Sequence, residues 1–316
     1  MKNRSVFALF LLLWLAASAL SSCRKNSSTT ESNKQKYNIE TFKDSLEKIA
    51  AEYQGEIGIA VITDRGDTLT VNNEDKYPLM SVFKLHQAVA TCRFLEEHGQ
   101  TPDTLMVIPR AALNPDTWSP MLKDHTSDTL RLTVKDLMRY TLMQSDNNAS
   151  NYMFDNLLGV ADVDSFIATL IPRESFRLVV TEAGMWRDHS LCYRNHSSPL
   201  GAAMLIDRLF TDSIIGNPEQ EMIRTALREC ATGTDRIVAP LAEIEGVTVA
   251  HKTGSGFRDA DGILTAHNDV AFITLPDGRH YTLAVLVKDF HGDEKGAASA
   301  IARISATVYA CLSAPL

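Results

Sequence analysis

Beyond its first twenty residues the chain has no apolar run approaching the ~20 residues that a bilayer core demands, so the body is expected to sit in water. It also lacks an HExxH helix, a glycine loop that would cradle nucleotide phosphates, and any paired Cys motif. There is no GxSxG elbow, which removes the usual sign of a Ser-His-Asp esterase. The nine histidines are scattered without ligand spacing, so neither a metal nor a cofactor is expected. Cysteine is sparse. Cys92, Cys192, Cys230 and Cys311 lie far apart, and although an exported protein can form disulfides, their spacing assigns none. Cys92 falls on the apolar face of a helix and reads as core. No internal repeat is present, and strict strand–helix alternation is missing, which disfavours a Rossmann or TIM arrangement.

What is there begins with a leader. Lys2 and Arg4 precede an uncharged apolar run from Val6 to Leu20 and then small residues, the pattern of a secretory signal spanning residues 1–22. Two processing routes fit. Ala17-Ser18-Ala19 suits ordinary cleavage, whereas Leu20-Ser21-Ser22-Cys23 resembles a lipobox that would make Cys23 a lipidated first residue. Export to the periplasm is expected either way, with membrane anchoring through Cys23 in the second case. Residues 23–36 are polar and are expected to be a disordered tether, with folding starting near Tyr37. Residues 1–36 carry six Lys+Arg and one Glu of the chain's 31 and 39, which leaves 25 against 38 and a net charge of −13 for the body. So acidic a body argues against nucleic-acid binding, which relies on clustered cations. At 45% hydrophobic and 22% charged residues, the composition is that of an ordinary globular enzyme.

Periodicity then places the elements. Phe42, Leu46, Ile49 and Ala50 mark an N-terminal helix over 39–53, stopped by Gly55. Ile57–Ile62 and Thr68–Val71 form a hairpin around Asp64-Arg65-Gly66-Asp67. Leu85, Ala88, Val89, Cys92 and Leu95 trace a largely buried helix from Ser81 to His98, with Gly99 as its C-cap. Thr133 and Asp136 form a capping-box pattern ahead of Val134–Met143, and further helices follow Pro199 and Asn217-Pro218. Thr248–Lys252, Asp269–Leu275 and Tyr281–Asp289 read as strands, the last two joined by Pro276-Asp277-Gly278, and Lys295–Cys311 closes the chain as a helix. The fold class expected is α+β: an antiparallel sheet flanked by helices, built from residues 37–79 and 212–316, with an all-helical lobe of residues 80–211 inserted.

Three short elements carry chemistry. In Ser81-Val82-Phe83-Lys84 the i, i+3 spacing brings an ammonium beside a hydroxyl, which a serine needs before it can attack. Alone the pattern is weak, because Ser22-Cys23-Arg24-Lys25 and Ser45-Leu46-Glu47-Lys48 fit equally well and Ser81 could be a plain N-cap. Ser145-Asp146-Asn147 sits between two helices, where a polar junction is the simpler explanation. Lys252-Thr253-Gly254-Ser255-Gly256 ends a strand, where a glycine turn would suffice. Taken together and in this order, the three match the set shared by class A β-lactamases and penicillin-binding proteins.

The sequence resembles a class A β-lactamase over roughly residues 40–313, in the branch containing many cephalosporinases. The likeness includes Ile57-Gly58-Ile59-Ala60-Val61-Ile62 and Pro78-Leu79-Met80-Ser81-Val82-Phe83-Lys84. It implies Ser81 as nucleophile, Lys84 or Glu182 as acylation base, and Glu182, in Thr181-Glu182-Ala183-Gly184-Met185, as the base that activates the deacylating water. Ser145 would relay a proton to the lactam nitrogen, Asn147 would hold the substrate's side-chain amide, and Lys252 with Thr253 would bind its carboxylate. Backbone N–H groups of Ser81 and Ser255, next to Gly254, would form the oxyanion hole, at roughly 3 kcal/mol per donor. Trp118 matches a rim aromatic, and Arg236 offers a second cation for the carboxylate. Trp186 departs from the family, which has Asn there to help hold the water; indole donates one hydrogen bond and accepts none. The implied partner is a small β-lactam met by a monomer, without cofactor. The rivals are a peptidoglycan carboxypeptidase or transpeptidase using the same serine, and a β-lactam-sensing lipoprotein that acylates and stops.

Overall fold

The computed structural model describes residues 28–74 and 76–313, with side chains from Ile39 onward. The leader and Cys23 lie outside the described residues. The chain divides into two units, residues 1–44 and 45–316. In the first, helix α1 (Ser28–Ala51) is already formed at Ser28, so the stretch expected as a tether is helical from that point. Composition misled because polarity signals a lack of core, while helix formation needs only the absence of breakers, and residues 28–36 contain neither Gly nor Pro.

The second unit takes in the end of α1 and is built on a five-stranded antiparallel sheet. Its strands are β1 (Glu56–Thr63), β2 (Thr68–Val71), β3 (Thr248–Ser255), β4 (Leu264–Thr274) and β5 (His280–Phe290), in the order β2-β1-β5-β4-β3. Neighbouring side chains on a strand point to opposite faces, and Ile57 to Ile62 are all buried, so both faces are covered. Ala60, Ile62, Val270, Phe272, Ala284 and Leu286 share one core with the helices between β2 and β3. Helix α8 (Glu294–Leu312) packs against β4 and β5, presenting buried Ala297, Ala300, Ile301 and Ile304.

The helices between the strands include α2 (Phe83–Glu97), α3 (Val134–Met143), α4 (Asn147–Asn156), α5 (Glu182–Arg187), α6 (Pro199–Thr211) and α7 (Asn217–Arg228). The capping box forms as the sequence predicts: Asp136 N donates to Thr133 Oγ1 and Thr133 N to Asp136 Oδ2, an arrangement worth about 1 kcal/mol. The lobe boundary expected at 211/212 does not separate packing partners. Helix α6, expected in the helical lobe, lies against β1, β4 and β5, while α7, expected with the sheet, packs on α2 and α3 as well as on β3. Periodicity reveals that a helix has an apolar face, not which element covers it. Among the described residues, no helix is long and apolar enough to cross a membrane.

Two local pairings position the site. Tyr77–Pro78 pairs with His196–Ser197, which also pairs with Phe176–Arg177, so the segments leading to Ser81 and Glu182 are stitched through a common strand. Asn268 on β4 donates from Nδ2 to Pro78 O at 2.7 Å and to Leu79 O at 3.2 Å, fixing the approach to Ser81 from the sheet side.

Candidate active site

Ser81 lies in a single 3-10 turn, Met80–Val82, and α2 begins only at Phe83. The sequence predicts Ser81 on the helix itself; the turn tightens first because Met80 has φ +45°, a left-handed conformation that costs a non-glycine residue of order 1 kcal/mol. Ser81 caps nothing. Its Oγ donates instead to Glu182 Oε1 at 2.7 Å, which disposes of the plain N-cap explanation. Lys84, fully buried, brings Nζ to 3.0 Å from the same carboxylate oxygen. It donates also to Asn147 Oδ1 at 2.7 Å, Ser145 O at 2.8 Å and Ser145 Oγ at 3.4 Å. Burial of an ammonium demands this density of acceptors.

The middle motif divides its labour by direction. Asp146 is fully buried, and its carboxylate accepts from Ser119 Oγ, Met121 N and Ala149 N, the last as cap of α4. Desolvation pushes the Asp146 carboxyl above its usual range, against the hydrogen bonds that favour its charge. With Asp146 anchored inward, Ser145 and Asn147 on either side line the cleft. Ser145 also has a left-handed backbone, φ +56°.

Glu182 opens helix α5, capped by Thr181 Oγ1, and the loop carrying it is held from outside. Asn151 Oδ1 accepts from Ala183 N at 2.9 Å, Asn195 bonds the backbone of Val179 and Val180, and Asp164 ties Arg173 and Arg177 to Leu178 N. None of these anchors was visible in the sequence, because each spans segments that only the fold brings together.

The third motif ends β3, an edge strand. Lys252, fully buried, donates from Nζ to Ser145 Oγ at 3.1 Å and to Thr253 O at 3.0 Å. Burial lowers its pKa to about 8, and the nearby charges of Lys84 and Arg236 act in the same direction. A Cβ on Gly254 would stand 2.5 Å from Leu79 O and 3.2 Å from Ser81 N, so only glycine lets β3 come this close to the Ser81 turn. Arg236, 6% exposed, donates to Ser255 Oγ at 2.6 Å and to Asn268 O at 2.6 Å.

These elements enclose a cavity of about 320 Å³ whose lining includes Ser81, Ser145, Asn147, Glu182, Thr253, Ser255, Arg236 and Trp118. Lys84, Lys252 and Gly254 stand directly behind that lining, so all eleven residues singled out from the sequence converge. Trp186 joins the wall beside Glu182, meeting His189 edge-on, and His189 stacks on Phe257 with centroids 3.7 Å apart. Sequence reasoning missed Thr232, whose Oγ1 lies 2.6 Å from Thr253 Oγ1, and Phe257. Thr232 stands four residues before Arg236, in Thr232-Gly233-Thr234-Asp235-Arg236, where only the arginine was given a role.

A serine hydroxyl bonded to a carboxylate that also pairs with a buried lysine, in an α+β body, is the arrangement of a serine hydrolase that works through an ester. Comparison with known proteins makes this specific. The model of the β-lactamase enzyme family matches residues 41–312. A curated β-lactamase of Phocaeicola vulgatus is 55% identical over 269 residues, covering 85% of this chain and 84% of that one. The crystal structure of the TLA-3 extended-spectrum β-lactamase superposes with a TM-score of 0.84 at 28% identity, over 87% of this chain and 100% of that one. A class A β-lactamase from Bacteroides cellulosilyticus DSM 14838 gives 0.82 at 27% identity, over 87% and 98%. The chain belongs to the β-lactamase enzyme family, as a class A serine β-lactamase.

Proposed function

We propose that the chain hydrolyses the β-lactam ring of penicillins and cephalosporins through an ester on Ser81, and so confers resistance to them. The observation that carries this is the 2.7 Å bond from Ser81 Oγ to Glu182 Oε1, with Lys84 Nζ 3.0 Å from the same oxygen. The substrate carboxylate binds Thr253 and Lys252, with Arg236 behind, which sets the lactam carbonyl over Ser81. As Ser81 Oγ attacks, its proton passes to the Glu182–Lys84 pair, and the oxyanion is met by the Ser81 and Ser255 N–H groups. The C–N bond breaks and Ser145, flanked by both lysines, delivers a proton to the departing nitrogen and is reprotonated through Lys84 with the proton taken from Ser81. Water then attacks the ester, giving its proton to Glu182, and Ser81 leaves with a proton restored. Asn147 holds the substrate amide while its own Nδ2 donates to Thr117 Oγ1 at 2.9 Å. Export to the periplasm, a lipid anchor on Cys23 and action as a monomer complete the proposal; the mass of the mature N-terminus separates lipidation from cleavage after Ala19.

The test is turnover of a chromogenic cephalosporin by the wild type, Ser81→Ala and Glu182→Ala, with mass spectrometry of the protein. Multiple turnovers in the wild type are expected, with no adduct in Ser81→Ala and a persistent one in Glu182→Ala. A stoichiometric burst from the wild type, ending in a stable adduct, would overturn the hydrolase.

A further inference from the structure

The cavity carries aromatic surface that the reaction scheme above does not use. Among the described residues six large apolar side chains are exposed, and two of them, Trp118 and Trp186, line this one cavity. Apolar surface left open at a cleft marks contact with a ligand. Trp186 follows Glu182 by four residues on α5, one helical turn on and on the same face, so indole and carboxylate meet the cleft together. Phe257, also in the lining, comes from the loop after β3, and its backbone is pinned to Thr265 at the start of β4. Phe257 N donates to Thr265 Oγ1 at 3.0 Å, and Thr265 N donates to Phe257 O at 2.9 Å. His189 joins the two aromatics. Its ring lies parallel to Phe257 within 5°, with centroids 3.7 Å apart, and meets Trp186 edge-on at 6.4 Å and 61°. Asp188 fixes the turn that presents His189, its Oδ1 accepting from Ser190 N at 3.0 Å and Ser190 Oγ at 2.6 Å. Three rings thus bridge the loop bearing Glu182 and the loop after β3, and rings already held in place lose little freedom when a ligand arrives.

We propose that Trp186 and Phe257, backed by His189, form a subsite for a flat aromatic ring at the end of the substrate's acyl side chain, so that the enzyme prefers β-lactams carrying arylacetyl-type amides. This rests on the hydrolase reading above and adds a substrate subclass to it. In a penicillin or cephalosporin the carboxylate and the acylamino group sit at opposite ends of the fused rings, the latter on the carbon next to the lactam carbonyl. With the carboxylate on Thr253 and Arg236 and the carbonyl over Ser81, the amide falls to Asn147 and its acyl group to the aromatic lining, which is Trp118, Trp186 and Phe257. Trp118 is engaged elsewhere: its Nε1 donates to Gln144 O at 2.9 Å, and Lys123 Nζ sits over its ring, 4.9 Å from the centroid. His189 takes one face of Phe257 and leaves the other face and the ring edges for a ligand. A flat ring placed there makes offset or edge-on contacts, and each such pair multiplies affinity about two- to tenfold beyond the gain from buried area. A saturated ring of the same size fills the space without that gain.

The test compares three cephalosporins of one nucleus that differ only in the side-chain amide: phenylacetyl, cyclohexylacetyl and acetyl. The readout is the ratio of kcat/KM between them, which covers events up to formation of the ester and so is blind to changes in its hydrolysis. The wild type should favour phenylacetyl over acetyl by about tenfold and over cyclohexylacetyl by about threefold. Trp186→Leu and Phe257→Leu should each shrink both ratios severalfold, whereas Trp118→Ala should lower all three substrates together. His189 is exposed, so His189→Ala reads the subsite even where a leucine variant does not fold, and there too both ratios should shrink. Wild-type ratios near one, a cyclohexylacetyl substrate as good as the phenylacetyl one, ratios unchanged in His189→Ala, or ratios that collapse only in Trp118→Ala would each overturn the subsite. Absence of wild-type turnover would instead sink the hydrolase, while the rates at which the three compounds form adducts on Ser81 would still rank the side chains.

Discussion

Two lysines, both fully buried, reach the same hydroxyl from opposite sides, and they live in opposite surroundings. Lys84 has the Glu182 carboxylate at 3.0 Å and three oxygens of the middle motif. Among the described residues no carboxylate touches Lys252, whose Nζ meets one hydroxyl and one carbonyl. A buried cation with its counterion in place belongs to the resting protein. A buried cation that no carboxylate touches is open to an anion from outside, and in the proposed reaction the substrate's carboxylate supplies one.

Removing each ammonium should therefore move stability in different ways. Lys84→Met leaves Glu182 buried without its partner and should cost about 3–5 kcal/mol by denaturant unfolding, along with turnover. Lys252→Met should change stability by less than ~1 kcal/mol, or raise it, while kcat/KM for a carboxylate-bearing β-lactam falls by an amount equivalent to about 2–5 kcal/mol. Equal destabilisation by the two variants would break the comparison.

The pH dependence sharpens it. Lys252 loses its proton as pH rises past about 8, so wild-type kcat/KM should fall above that value, and this limb should be absent from Lys252→Met. Stability should move the other way. Between about 8 and the ordinary lysine value of 10.5 the unfolded chain binds more protons than the folded one, so this group adds stability as pH rises through that window. The smallest effect belongs to the rim. Trp118 is 54% exposed, and Trp118→Ala should alter kcat/KM by no more than the ~1–3 kcal/mol typical of a single pocket contact and leave the melting temperature nearly unchanged.

What could be read from the sequence was what is local. The strands around Ile57 and Val285, the box at Thr133–Asp136 and the three motifs are patterns a few residues long, and their joint order pointed to one site. What could not be read depends on register or long-range pairing. His251 was set aside as a histidine without ligand spacing and Asp269 was read only as the start of a strand; the β3–β4 pairing brings them within 2.9 Å of each other. Asp146 was read as one letter of a motif, whereas its carboxylate turns away from the cleft to organise the backbone. Ser28–Lys36 was judged by polarity alone, which carries no information on helix continuation.

Met80 and Ser145 hold backbones at φ +45° and +56°, one residue before the proposed nucleophile and at the hydroxyl both lysines share. Glycine at either position would relieve strain of order 1 kcal/mol. A laboratory selection for heat tolerance alone should thus drift towards glycine at 145, enriching variants that survive boiling better and destroy antibiotic worse. Selection on drug plates should hold the serine in place, so the frequency of glycine at this codon would record which pressure a population had met.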